Sequence, residues 1–427
     1  MKLPMFGNPT STSTLHKIKT STKKPSLSFI TLTSRPVKQF TTSPHIHTTT
    51  AHQSITMPPI PKGPIKLAIL DDYQGVAGKH FESLKPTFEI TSFPSTLPAF
   101  NAPSTPQSTK EELINRLKPF TVISSMRERT PFPADLLKSL PNLKLLLTTG
   151  GRNAAIDMPA AKALGIPVTG AGEAGRTPSA AVDRKKRRGP DSTTQHCVAL
   201  ILGIARLLAS DDANVKNGLW ETDLATGLSG KTFCTLGLGK LGGNVAKIMY
   251  QSFGMRILAW SESLTQEKAD EKAKEQGLPV EDEDGEKVFK AVSKEELFKE
   301  ADVLSVHYVL SDRSRGIVGE QDLKLMKKKA LFVNTSRGPL VDEDALLDVL
   351  EKGGVRGAGI DVFNVEPLPL DSKWRTTKWG KDGRSNVLLT PHMGYVAEET
   401  INNWYEEQVE IVGRWQNGQD LLNVLNK

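Results

Sequence analysis

The stretch Gly230–Tyr250 restricts the fold of this 427-residue chain more than any other. The apolar run Phe233–Leu238 leads into Gly237-Leu-Gly-Lys-Leu-Gly242, after which Val245, Ile248 and Met249 recur at helical spacing. A second apolar run, Met255–Trp260, follows. Strand, glycine turn, helix and strand in that order make a βαβ unit. The first glycine permits the tight turn, the second lets a pyrophosphate approach the backbone, and the third lets helix pack on strand. The phosphates of a dinucleotide then meet free N–H groups and the positive end of the helix dipole. Gly237, Leu238, Gly239, Lys240, Leu241 and Gly242 are therefore candidate cofactor-binding residues.

Further strands are expected on both sides of this unit. Ahead of it lie Ile65–Leu70, Phe88–Phe93, Phe120–Ser125, Leu143–Thr149 and Ile166–Gly170. Helical pieces such as Lys110–Leu117 and Ala134–Leu140 alternate with them, which implies a parallel sheet covered on both faces. After the unit come Val303–Leu310, Leu331–Thr335, Val355–Phe363 and Val387–Thr390. With the two strands of the βαβ unit these make six, the count of a complete two-half dinucleotide domain. Thr193–Leu208 reads as one helix with an apolar face, and the charged run Gln266–Lys290 as a solvated loop and helix. The fold class is α/β, with two doubly wound parallel-sheet domains.

Three strands end in residues able to do chemistry. Asn334-Thr-Ser-Arg-Gly338, Asp361-Val-Phe-Asn-Val-Glu-Pro367 and Thr390-Pro-His-Met-Gly394 follow successive strands of the cofactor sheet. Arg337, Glu366 and His392 should meet in the crevice at the strand ends, with Thr335, Ser336, Asp361 and Gly394 beside the cofactor. The chemistry that fits is reversible hydride transfer to a 2-oxo acid. A positioned histidine protonates the developing alkoxide, a carboxylate keeps that histidine charged, and an arginine grips the substrate carboxylate bidentately. His392, Glu366 and Arg337 fill these roles. His307 and His196 compete for the acid role, and the turn residues Pro391 and Gly394 favour His392. In the first sheet, Gly150 and Gly151 expose N–H groups suited to a carboxylate. Ser124-Ser-Met-Arg-Glu-Arg129 is either a solvated loop or a ligand contact through Arg127.

These motifs together resemble the D-isomer-specific 2-hydroxyacid dehydrogenases over roughly residues 64–420, with an interruption at 180–192. The resemblance implies a Rossmann domain (193–388) inserted into a flavodoxin-like substrate domain built from 64–179 and 389–427. It implies a homodimer held by the cofactor domains, the Arg337–Glu366–His392 roles, and a carboxylate site near Gly150 and Gly151. Ser261 stands where relatives that use NAD usually carry Asp, so NADPH is expected to serve at least as well as NADH. Glyoxylate and hydroxypyruvate reductases are the members it looks like. An NAD(H)-sensing corepressor on the same fold is the alternative.

The net charge of +7 does not point to nucleic acid, because it is confined to one end. Seven of the 55 Lys and Arg residues and none of the 48 Asp and Glu residues lie in residues 1–57, so the remainder is neutral. That Ser- and Thr-rich leader has the composition of a mitochondrial presequence or of an unstructured tail. Translation from Met57 would instead leave the protein in the cytoplasm. No run approaches the length of a membrane span. Cys197 and Cys234 sit in apolar stretches and read as buried thiols, with no metal site. The interruption Ala180–Ser192 carries Arg184-Lys-Lys-Arg-Arg188 and almost no apolar residues. It is expected to be disordered and to derive from a retained intron fragment or a misplaced splice boundary. The basic run itself could act as a nuclear signal or an anion patch.

Overall fold

The alternation of apolar runs and helices builds two parallel sheets in the computed structural model, which describes residues 64–172 and 190–427. The leader 1–57 and residues 180–189 of the interruption lie outside them. The first sheet contains β1 (Ile65–Leu70), β2 (Phe88–Phe93), β3 (Val122–Ser125), β4 (Leu145–Thr148) and β5 (Val168–Gly170). Its order is β2-β1-β3-β4-β5, all parallel. The second holds β6 (Thr232–Leu236), β7 (Arg256–Trp260), β8 (Phe289–Ala291), β9 (Val303–Val306), β10 (Leu331–Asn334), β11 (Gly357–Ile360) and β12 (Asn386–Leu389). Its order is β12-β11-β10-β9-β6-β7-β8, again all parallel.

Every residue of β3, β4, β6, β9, β10 and β11 is buried, because helices cover both faces. Successive residues enter different cores. Cys234, Leu304 and Phe332 face one side of the second sheet, while Phe233, Val303 and Val333 face the other. In the first sheet Leu67, Ile69 and Leu147 oppose Ala68, Leu70 and Leu146. The C-terminal helix Glu398–Gln416 returns to the first sheet. Its Ile401, Trp404, Tyr405, Ile411, Val412 and Trp415 recur at helical spacing and pack with Leu67 and Ile69. The last residues then cover the β5 edge, with Leu425 donating its N–H to the Val168 carbonyl at 2.8 Å. Both sheets belong to one compact unit, Met57–Lys427. Among the described residues no helix is long and apolar enough to cross a membrane.

Three details differ from the sequence reading. The second sheet has a seventh strand, β8, whose Phe289 is buried at the end of the charged run. One buried residue in a three-residue edge strand leaves almost no periodic signal. The helix expected over Thr193–Leu208 runs from Ser192 to Ala205, and after Leu207 turns left-handed at φ 57° a second helix, Leu208–Lys216, follows. The end of the interruption 180–192 also packs after all. Asp191 caps the first of these helices by accepting the Thr194 N–H at 3.0 Å, and Ser192 opens it.

Candidate active site

Both sheets point their strand ends at one crevice, at the reversals between β1 and β3 and between β6 and β9. The turn after β12 carries His392, which is held left-handed at φ 55°. That conformation strains a residue with a Cβ, so it needs outside support. Asp361, at the end of β11, supplies it. Its carbonyl accepts the His392 N–H at 2.8 Å, and its carboxylate accepts the Met393 and Gly394 N–H groups at 2.7 and 3.1 Å. Thr390 and His196 donate to the same carboxylate at 2.6 and 3.1 Å. Burial pushes the Asp361 acid up, but these donors outweigh it and hold the group below the usual carboxylate range.

Glu366 follows in the loop after β11. Its Oε1 accepts the Phe363 N–H at 2.9 Å, and its Oε2 lies 2.6 Å from His392 Nδ1. A carboxylate there fixes the tautomer with the proton on Nδ1 when the ring is neutral, leaving Nε2 as the reactive nitrogen. Burial raises the Glu366 acid. The His392 hydrogen bond and charge, the Phe363 N–H and Arg129 outweigh this and lower it, so it stays ionised. The rival histidines are engaged elsewhere. His307 bonds Ser305 Oγ at 2.9 Å, and burial pulls it down to about 4, so it is neutral. His196 is held on Asp361 and Thr390.

Arg337 does not touch this pair. It donates to the Ser336 carbonyl at 2.7 Å and to Glu128 Oε1 at 3.4 Å. The same Glu128 oxygen takes Arg127 Nη2 at 3.4 Å. Arg127 lies over Gly150, where a Cβ would overlap its guanidinium. Gly150, left-handed at φ 82°, and Gly151 follow β4 in the same loop. Arg337, Glu128, Arg127 and Gly150 thus form a second cluster, separate from the Glu366–His392 pair.

Arg129, which the sequence reading passed over in favour of Arg127, is the residue that reaches His392 and Glu366. Arg127 sits at φ 49°, a left-handed residue that breaks the strand alternation and sends the two arginines to different clusters. Arg129 Nη1 donates to Glu366 Oε2 at 2.8 Å and Arg129 Nε to the Tyr395 hydroxyl at 3.2 Å. A cavity of about 490 Å³ opens here, lined by Asp71, Tyr73, Arg129, Glu366, His392 and Tyr395 among others. Buried Asp71 also escaped the sequence reading. Its carboxyl is pushed up by burial and accepts hydroxyls from Thr96 and Thr130 at 2.5 and 2.8 Å. A left-handed φ of 61° at the end of β1 aims it there, and side-chain-level sequence patterns carry no signal for that.

The glycine turn fits a dinucleotide. Gly237 is left-handed at φ 101°, and a Cβ on Gly242 would overlap the Gly237 carbonyl. A Cβ on Gly239 would meet nothing within 4 Å, so open space lies before the N-terminus of the helix Lys240–Phe253. At the end of β7, Ser261 lies beside the stacked Trp260 and Tyr308 rings, whose centroids are 6.2 Å apart. Tyr308 accepts the Glu262 N–H at 3.2 Å, and Ser336 Oγ donates to the Tyr308 carbonyl at 2.8 Å. Thr335 hydrogen-bonds the buried Cys197.

The chain is similar to known proteins in sequence and fold. Residues 198–394 match the family model described as D-isomer specific 2-hydroxyacid dehydrogenase, NAD binding domain. The glyoxylate reductase of Thermococcus litoralis is 31% identical over 302 residues, covering 69% of this chain and 80% of that protein. The hydroxypyruvate reductase of Thermotoga maritima is 33% identical over 303 residues, covering 70% and 86%. Among solved structures, the phosphoglycerate oxidoreductase of Vibrio cholerae superposes with a TM-score of 0.67 at 34% identity, over 83% of this chain and 99% of that one. Sequence likeness over most of each relative, on a fold whose glycine turn is shaped for a dinucleotide, places the chain among the D-isomer-specific 2-hydroxyacid dehydrogenases, oxidoreductases of 2-hydroxy acids.

Proposed function

We propose that the protein reduces a small 2-oxo acid to its D-2-hydroxy acid, and runs the reverse oxidation, with NADPH or NADH. The observation that carries this reading is the 2.6 Å contact of His392 Nδ1 with Glu366 Oε2. A nicotinamide dinucleotide, held by its pyrophosphate at the β6 turn, would supply the hydride. His392 Nε2 gives its proton to the carbonyl oxygen as the hydride reaches the adjacent carbon. Glu366 keeps the ring oriented and its charge compensated. Arg337 and Arg127, with the N–H groups of Gly150 and Gly151, take the substrate carboxylate and displace Glu128. Asp361 anchors the His392 turn, with Thr335, Ser336 and Gly394 at the cofactor's edge.

The domains in this reading are a substrate domain of 64–179 and 389–427 and a cofactor domain of 193–388, paired as a homodimer. A presequence within 1–57 would take the protein to mitochondria, and a start at Met57 would keep it in the cytoplasm. Glyoxylate, hydroxypyruvate and pyruvate are the substrates to offer with each cofactor, following consumption of NAD(P)H. Turnover supports the dehydrogenase reading. Binding of NAD(H) with no turnover of any of the three would favour the corepressor alternative.

A further inference from the structure

Arg129 is the described side chain that links the first sheet to the reacting pair. It follows β3, whereas Glu366 and His392 follow β11 and β12. Its Nη1 takes Glu366 Oε2 at 2.8 Å, the same oxygen that holds His392 Nδ1 at 2.6 Å. Its Nη2 reaches the His392 carbonyl at 3.4 Å, and its Nε reaches the Tyr395 hydroxyl at 3.2 Å. The side chain is only 9% exposed. A guanidinium this buried requires a counter-charge, and Glu366 is the carboxylate in contact with it.

One carboxylate oxygen therefore serves two cations when His392 is protonated. We propose that Arg129 is a positioning residue that offsets the Glu366 charge, so that the His392–Glu366 pair releases its proton to the substrate oxygen more readily. This rests on the acid role given to His392 above. Without Arg129, Glu366 would face His392 with its full charge and hold the proton more tightly. Once the proton has left, Arg129 keeps the carboxylate ionised and in place for the return transfer. The contact exists only while the segment after β3 sits against the ends of β11 and β12, so the pair is tuned only when the two sheets are engaged.

The other titratable groups leave this balance to Arg129. Asp361 is occupied by Thr390, His196, Met393 and Gly394. Tyr395 meets the far side of the guanidinium, with Arg127 beyond it. Asp71 and Tyr73 face Arg129 across the cavity, and Asp71 is taken up by Thr96 and Thr130.

The test compares Arg129→Met, Arg129→Lys and Tyr395→Phe with the wild type, using the 2-oxo acid that the wild type reduces best. The pH profile is read in both directions. Arg129→Met should lower kcat about tenfold or more. Its alkaline limit for reduction and its acid limit for oxidation should both move up by about one pH unit. KM for the 2-oxo acid and NADPH binding, followed by fluorescence, should change little. Arg129→Lys should restore much of the profile, because it returns the charge. Tyr395→Phe should shift it slightly in the same direction as Arg129→Met. If Arg129→Met does not fold, Tyr395→Phe decides alone: a wild-type profile there overturns the proposal. Unmoved limits in Arg129→Met, or a change confined to KM, also overturn it, the latter by making Arg129 a substrate-binding residue. A wild type that reduces no 2-oxo acid would instead sink the proposed function.

Discussion

His392 is forced into a left-handed backbone so that its ring can meet Glu366, and the turn is held by the hydrogen bonds that its N–H groups donate to Asp361. Replacing the ring by His392→Ala should cut kcat at least about a hundredfold while cofactor affinity stays near wild type. Retention of more than half the activity would show that the acid is another group. Glu366→Gln removes the charge that favours protonated His392, so the ring loses its proton at lower pH. The pH optimum of reduction should therefore move down, opposite in sign to Arg129→Met. An optimum that stays put in Glu366→Gln would mean the 2.6 Å contact does not govern the proton. Glu128 presents a related case. It accepts from Arg127 and Arg337 at 3.4 Å each, where a substrate carboxylate should bind. Glu128→Gln should leave kcat near wild type and lower KM for the 2-oxo acid about threefold or more, within the range of an exposed ion pair. A raised KM would make Glu128 a support for the arginines and not a competitor.

Among the elements, those that the sequence displays are the long buried ones. β1, β6 and β10 are runs of apolar residues bounded by turns, and helices cover them on both faces, so their signal is local. β8 is not visible in the same way, because Phe289 alone of its three residues is fully buried. The Glu366–His392 pair was legible because both residues close consecutive strands of one sheet. Arg129 was not, because its contact with Glu366 joins residues 237 positions apart, and only the packing of one sheet against the other creates it. The helix Ser192–Ala205 shows the same limit at its start. Counting from Thr193 treats Asp191 as part of an insertion, whereas Asp191 accepts the Thr194 N–H and reaches Asn244 at 3.4 Å. Deleting 180–192 would leave Pro178 at the cap position, where no side chain can accept. That cap is worth about 1 kcal/mol. Deleting 180–189 retains Asp191 and should keep activity and melting temperature at or above those of the full chain. The longer deletion should melt lower than the shorter one. Equal melting temperatures would show that the cap contributes nothing measurable, and loss of activity in the shorter deletion would overturn the view that 180–189 is dispensable.

Among the described residues, one segment gathers several exposed apolar side chains. Past the break at Leu207, the chain from the helix Leu208–Lys216 to the loop before β6 exposes Leu208, Leu219, Trp220 and Leu224, with Trp220 at 74% and Leu224 at 83%. Single exposed apolar residues are ordinary, but several on one short segment next to the helix that flanks the cofactor sheet are not. The body of the chain is neutral once residues 1–57 are set apart, so no large charge opposes close approach of two copies. If the proposed homodimer forms through this segment, a second copy of the chain covers it. A two-fold contact would use the same residues on both subunits, so one substitution alters the interface twice. Trp220→Asp should therefore shift the protein from dimer to monomer in sedimentation, with a dissociation constant raised about a hundredfold or more, as expected for loss of a large aromatic at the centre of an interface. Leu224→Asp should act the same way, whereas Lys268→Asp, on the helix Gln266–Glu275, should not. A dimer that survives both Trp220→Asp and Leu224→Asp would place the subunit contact elsewhere, and a wild type that sediments as a monomer would remove the homodimer altogether.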